Sequence, residues 1–182
     1  MIEQLLHFWF IETVPAQGWR VDPAFDAKIA ERFSAVHAAA VAGELYGWRV
    51  QPRGRLAEIL VLDQFSRNLY RGDARAFSQD ARALACAEEM LARGWDARLL
   101  PVERQFAYLP FEHAEDLAMQ DRSVSLFASL EAFPETKGLT EWAEKHRVIV
   151  RRFGRFPHRN AALGRESTPE ETAFLREPGS SF

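Results

Sequence analysis

Residues 56–70 read LAEILVLDQFSRNLY, and this stretch decides the fold. Placed on a helix at about 100° per residue, its apolar side chains fall nearly all the way round. A helix that is apolar on every side is buried, so residues 56–70 predict a central helix with other helices packed about it. Asp63 and Arg67 lie four residues apart on the same stripe as Leu56, Ile59, Leu60 and Tyr70. A charge on a packed face needs a partner, because an isolated one there costs several kcal/mol, roughly. The pair is either an internal ion pair that fixes helix packing or one wall of a binding site.

Helical periodicity extends outward in both directions, and no convincing alternating strand pattern appears. Glu3 to Phe10 reads as a short helix. Asp22-Pro23 supplies a cap and a first-turn proline for a helix ending near Gly43, with Phe25, Ile29, Val36 and Ala40 on one face. Pro52 precedes the central helix. Asp73 is expected to start a helix that closes at Gly94. Pro101 opens a short helical piece that Pro110 interrupts, and a further helix is expected from Phe111 to about Leu130. The next spans Leu139 to Phe153 and stops at Gly154. An irregular Arg/His-rich loop follows over 154–166. Ser167-Thr168-Pro169-Glu170-Glu171 then starts a short C-terminal helix of about 169–176. The expected architecture is all-α: one domain, residues 1–182, an antiparallel array of about seven or eight helices.

Composition narrows the function classes. With 182 residues, 47% hydrophobic and 12% aromatic, the chain can bury a sizeable core. Its net charge of −3 argues against a general nucleic-acid binder. Cys86 is the only cysteine, which excludes an intrachain disulfide framework and a Cys-based zinc site. Its setting in an alanine-rich helix reads as a small packing residue. The N-terminal MIEQLLHFWFIETVP is too short to span a bilayer and lacks the basic start of a signal peptide. A cytoplasmic protein with no membrane partner and no nucleic-acid partner is expected. Nucleotide-binding glycine motifs, a nucleophile elbow, HExxH and paired ExxH are absent. Neither a metal nor a cofactor is expected.

The candidate site comes from polar residues on faces that ought to be apolar. On the expected 111–130 helix, His113 and Gln120 share a stripe with Leu117 and Val124, and Glu112 shares another with Met119 and Leu126. Glu112, Glu115 and Asp116 would lie near its N-terminus, where acids are favourable for capping alone. His146 falls at the centre of an apolar face made by Leu139, Trp142, Ala143, Ile149, Val150 and Phe153, while Arg147, Arg151 and Arg152 lie off it. Residues 145–165, KHRVIVRRFGRFPHRNAALGR, carry +7 with no carboxylate, so the remainder of the chain carries −10. Gly154 and Pro157 turn Arg155, His158, Arg159 and Asn160 away from the helix end. Arginine forks suit carboxylate or phosphate, so these groups either pair with Asp63, Glu112 or Glu115 or meet an anionic ligand.

Three runs also resemble a known family: LAEILVLDQFSRNLYRG (56–72), YLPFEHAEDLAMQ (108–120) and RFGRFPHRNAALGRESTPEE (152–171). Together with FWF at 8–10 and a terminal Phe182, they are similar to an uncharacterised bacterial family, domain of unknown function 924. The resemblance covers nearly the whole chain. It implies an all-helical fold similar to tetratricopeptide repeats and carries no activity with it.

Three readings of function follow. The first is a module that binds a small anionic molecule through Arg67, Arg155 and Arg159, with Asp63 and Glu112 holding the arginines and Gln120, Asn160 and His158 completing the site. The second is a hydrolase or lyase in which His113 or His146, oriented by Glu112 or Glu115, acts as acid or base while Arg155 stabilises an oxyanion. The third is a peptide-binding helical scaffold.

Overall fold

The computed structural model describes residues 1–14, 17 and 21–181. Pro15 and Phe182, which the sequence reading included, lie outside the described residues. Among those described, the chain is helical throughout and contains no strand. Helix α1 is Ile2–His7, extended by a π-helical turn over Phe8–Glu12. Helix α2 is Pro23–Ala42, with the Asp22 carboxylate accepting from the amides of Ala24 and Phe25 at 3.1 Å each. Helix α3 runs as Pro52–Leu60, a π-helical stretch Val61–Phe65, and Ser66–Leu69. Then come α4 (Asp80–Ala92), α5 (Pro101–Glu112), α6 (Leu117–Ala128), α7 (Leu139–Phe153) and α8 (Pro169–Phe174). With the continuous α3 taken as one rod, the described chain has eight helices.

The centre is α3, as its sequence demands. Every residue from Gly54 to Ser66 is buried. Trp9, delivered by the π turn of α1, joins the first three helices to α5: its ring centroid lies 5.9 Å from Phe25, 5.7 Å from Phe65 and 5.5 Å from Phe106. A second, smaller apolar cluster of Ile149, Val150, Phe156 and Phe174 lies under the C-terminal loop. No helix among the described residues is long and apolar enough to cross a membrane.

Three expectations change. The helix after Asp73 starts only at Asp80, because the Asp73 carboxylate accepts from the Arg75 amide at 2.8 Å and closes a 3₁₀ turn over Ala74–Ala76. Helix α5 does not stop at Pro110. The proline sits in its last turns, where it removes one backbone donor, and the buried Ala107, Tyr108, Leu109 and Phe111 hold the helix through to Glu112. The chain then turns, and Asp116 caps α6 by accepting from the Met119 amide at 2.9 Å. Glu112 therefore ends a helix, and neither it nor Glu115 caps an N-terminus. Trp142 is 51% exposed rather than packed, with the Lys145 ammonium 4.0 Å above its ring.

One buried charge network holds α3 to its neighbours. Glu58, 0% exposed, accepts from Arg49 at 2.6 and 3.0 Å and from Arg55 at 3.1 Å. Arg55 also reaches Glu89 and lies 3.3 Å from the Cys86 sulfur. Burial, reinforced by Glu58, pushes the Cys86 thiol above its ordinary range and leaves it unreactive. Gly54 admits no side chain, since a β-carbon there would lie 2.1 Å from the Trp48 carbonyl oxygen. Glu58→Ala would leave Arg49 without its carboxylate and the buried Arg55 with Glu89 alone. Urea denaturation of this variant is expected to show a loss of about 3–5 kcal/mol, and a loss under 1 kcal/mol, roughly, would mean that the pair does not tie the helices.

Candidate functional site

The π-helical stretch of α3 carries the first component. A π turn widens the helix by one residue and re-aims the side chains beyond it. Asp63 lies in this stretch and is 1% exposed. Its carboxylate accepts from the Gln64 amide at 2.6 Å and faces the Arg67 guanidinium at 3.1 Å. It also meets Nδ1 of His113 at 2.7 Å. An ionised carboxylate can only accept, so Nδ1 of His113 carries the proton and Nε2 presents a lone pair. Burial opposes the Asp63 charge, but Arg67 and His113 outweigh it and hold the carboxyl well below its usual range.

His113 occupies the turn after α5, where the Gln120 amide ties off the helix end by donating to the carbonyls of Glu112 at 2.6 Å and Ala114 at 2.8 Å. Its side chain is 13% exposed, which gives the cluster its opening to solvent. Burial, then Arg67, lowers its pKa below the ordinary 6.5, with Asp63 pulling the other way.

His146, from the middle of α7, closes the second side. Its Nδ1 lies 2.9 Å from the Trp142 carbonyl and 3.3 Å from a Glu112 carboxyl oxygen. Its ring is 6.4 Å from that of His113 and 5.6 Å, edge to face, from Phe156. Burial lowers His146 to about 3. Glu112 moves the opposite way: burial first, and then the negative charge of Asp63, push it up to about 8. Around neutral pH one carboxyl of this cluster is ionised and the other is protonated.

The C-terminal loop contributes Arg159, 6% exposed, its guanidinium carbon 4.8 Å from the Phe77 ring centroid and 4.5 Å from that of Phe156. It donates to Asp80 at 3.2 Å and to the His113 carbonyl at 3.1 Å. Arg67 takes the same Asp80 with both terminal nitrogens, at 3.0 and 3.1 Å. Burial, then Arg67, brings Arg159 down to about 10. His158, 5.7 Å from Phe156, falls to about 4 through burial and then Arg159.

The remaining sequence candidates brace the loop. Arg165 grips Glu115 at 2.6 and 2.9 Å, and Glu115 also accepts from the Phe156 amide at 2.8 Å. Arg155 pairs with Glu171 at 2.6 and 2.8 Å. Asn160 donates to Glu171 at 3.2 Å and accepts from Arg165 at 3.0 Å. The structure thus brings Asp63, Arg67, Glu112, His113, His146 and Arg159 together and directs Glu115, Arg155 and Asn160 into the brace. Asp80, at the start of α4, was missed by the sequence reading, because an acid there is indistinguishable from ordinary first-turn decoration. Two cavities of about 280 and 610 Å3 open beside α1, and neither borders this cluster. Among the described residues, no group of three or more His, Cys, Asp or Glu side chains is arranged to hold a metal ion.

The raised pKa of Glu112 has a thermodynamic signature. Between pH 4.5 and about 8 the unfolded chain has lost this proton and the folded chain retains it, so this group lowers stability as pH rises through that window. Glu112→Gln removes the contribution. In urea denaturation from pH 4 to 9, the variant should gain on the wild type by up to about 1.4 kcal/mol per pH unit within the window and level off on both sides. A difference independent of pH would show that Glu112 is ionised in the folded protein.

A family model described as a bacterial protein of unknown function (DUF924) matches residues 5–179. A solved structure of a protein of unknown function from Agrobacterium tumefaciens is 43% identical over 96% of each chain, with a TM-score of 0.89. No curated protein matches. The Asp63, Glu112–His113 and Arg159 positions all fall inside the matched region, and the chain belongs to the DUF924 family.

Proposed function

We propose that the chain is an acid–base enzyme, a hydrolase or lyase acting on a small polar substrate. One observation carries the reading: Asp63, bonded to His113, and Glu112, facing the neighbouring His146, are driven to opposite protonation states. Two titratable groups whose surroundings separate their pKa values divide naturally into base side and acid side. His113 takes a proton at Nε2 from water or from the substrate. Asp63 holds the ring in the required tautomer and stabilises the imidazolium that forms. Glu112, protonated near pH 7, gives a proton to the departing group, so one proton is removed and one returned. His146, fixed by the Trp142 carbonyl, walls the acid from bulk water. A single buried cysteine and the lack of any described helix able to cross a membrane support a cytoplasmic site of action.

A panel of small esters, amides, phosphate esters and hydroxy acids provides the test. Turnover of any substrate found should fall about 10²–10⁴-fold in His113→Asn, whose amide can replace the Nδ1 donor to Asp63 and preserve the fold. In the wild type, kcat/KM should decline above about pH 8 as Glu112 loses its proton, and Glu112→Gln should lose activity at all pH values. Full turnover in His113→Asn would end this assignment.

A further inference from the structure

The charge arrangement beside His113 narrows the substrate class, and this step rests on the acid–base reading above. Two guanidinium groups converge on one carboxylate. Arg67 holds Asp80 through two bonds, and Arg159 makes a single bond of 3.2 Å to the same group. Asp63 offers Arg159 no hydrogen bond, being shared among Gln64, Arg67 and His113. The rings of Phe77 and Phe156 lie 4.8 and 4.5 Å from the Arg159 guanidinium carbon, and its N–H groups bond in the guanidinium plane. One of these, Nε–H, is buried and has no acceptor. A buried donor left unmade is expensive, and it shows that Asp80 does not fill the bonding capacity of Arg159.

We propose that the substrate carries a carboxylate or phosphate group, that Arg159 receives it, and that Asp80 holds the place of that anion when no substrate is bound. Asp80 is the first residue of α4, and its side chain is 19% exposed, so it can turn outward and leave both guanidiniums to the incoming group. The same terminal nitrogen of Arg159 that reaches Asp80 also bonds the His113 carbonyl at 3.1 Å. An anion held there is anchored beside the residue whose ring acts as base. The ligand is therefore small, with few bonds between its anionic end and its reacting atom.

Isothermal titration with inorganic phosphate and, separately, acetate tests the assignment, with chloride at equal ionic strength as the control. One of the two anions should bind the wild type, and that arm identifies the group. Asp80→Asn removes the competing charge and should tighten binding about tenfold. Arg159→Gln should abolish it, and Arg159→Lys, which keeps the charge without the fork, should weaken it. The proposal is overturned if Asp80→Asn binds no more tightly than the wild type, if Arg159→Gln binds as well, or if chloride competes equally. His113→Asn should bind the anion like the wild type. Anion binding as expected alongside full turnover in His113→Asn sinks the acid–base reading and leaves this site standing. Lost turnover in His113→Asn without anion binding does the reverse.

Discussion

An ionised carboxylate in the core is the constraint on which the rest of the structure depends. Asp63 is 1% exposed on a helix buried along most of its length. Keeping its charge there requires donors from more than one direction, because desolvation alone would protonate it. Arg67 supplies one from the next turn of α3, Gln64 another from beside it, and His113 a third from the end of α5. That last demand explains why α5 stops at Glu112. His113 can meet Asp63 from a turn, and Gln120 then satisfies the carbonyls which the ended helix exposes. Burial, and after it the charge of Asp63, raises Glu112, which faces His146. One buried anion fixes a tautomer and a helix end, and it adds to the burial that keeps a second acid protonated.

The basic C-terminal third serves this arrangement in two ways. Arg165 and Arg155 pair bidentately with Glu115 and Glu171, giving the irregular loop of 154–166 a defined course that backbone hydrogen bonding alone would not supply. The loop in turn lays Phe156 against His146 and carries Arg159 inward. The arginines are thus unequal. Arg155 and Arg165, each on a carboxylate that no other arginine takes, hold the loop, and Arg159, which shares Asp80 with Arg67, is placed beside His113.

Much of this was legible in the sequence, and what was not has physical causes. An all-round apolar pattern revealed the burial of residues 56–70, and the same reasoning exposed Asp63 and Arg67 as a pair needing partners. Applied evenly it would also have found Glu58, which stands in the same apolar run and is fully buried with Arg55. Asp22, Thr168 and Gly154 marked helix ends because capping is local chemistry. The extent of α5 was not legible. A proline reads as a break in one dimension, whereas tertiary burial on both sides of Pro110 outweighs a single missing donor. The exposure of Trp142 was hidden too, since periodicity shows which residues share a face and not how far the neighbouring helix extends over it. Asp80 belongs to a contact 79 residues long in sequence, and no local pattern announces such a pairing.

Structural packing alone does not account for Glu112 as it stands. A glutamine would fill the same volume and remain neutral without losing stability between pH 4.5 and 8. Nor is the Glu112 proton committed to the nearest base. The His146 nitrogen that faces Glu112 already bears a hydrogen, because it also lies 2.9 Å from the Trp142 carbonyl, which can only accept. Transfer through that nitrogen is closed, and the second ring nitrogen of a residue held near pKa 3 is a poor acceptor. On the proposed acid–base reading, a carboxyl kept protonated at neutral pH, with its adjacent imidazole unable to relieve it, is the group that gives its proton to the departing group. That is the condition the proposal sets for a general acid.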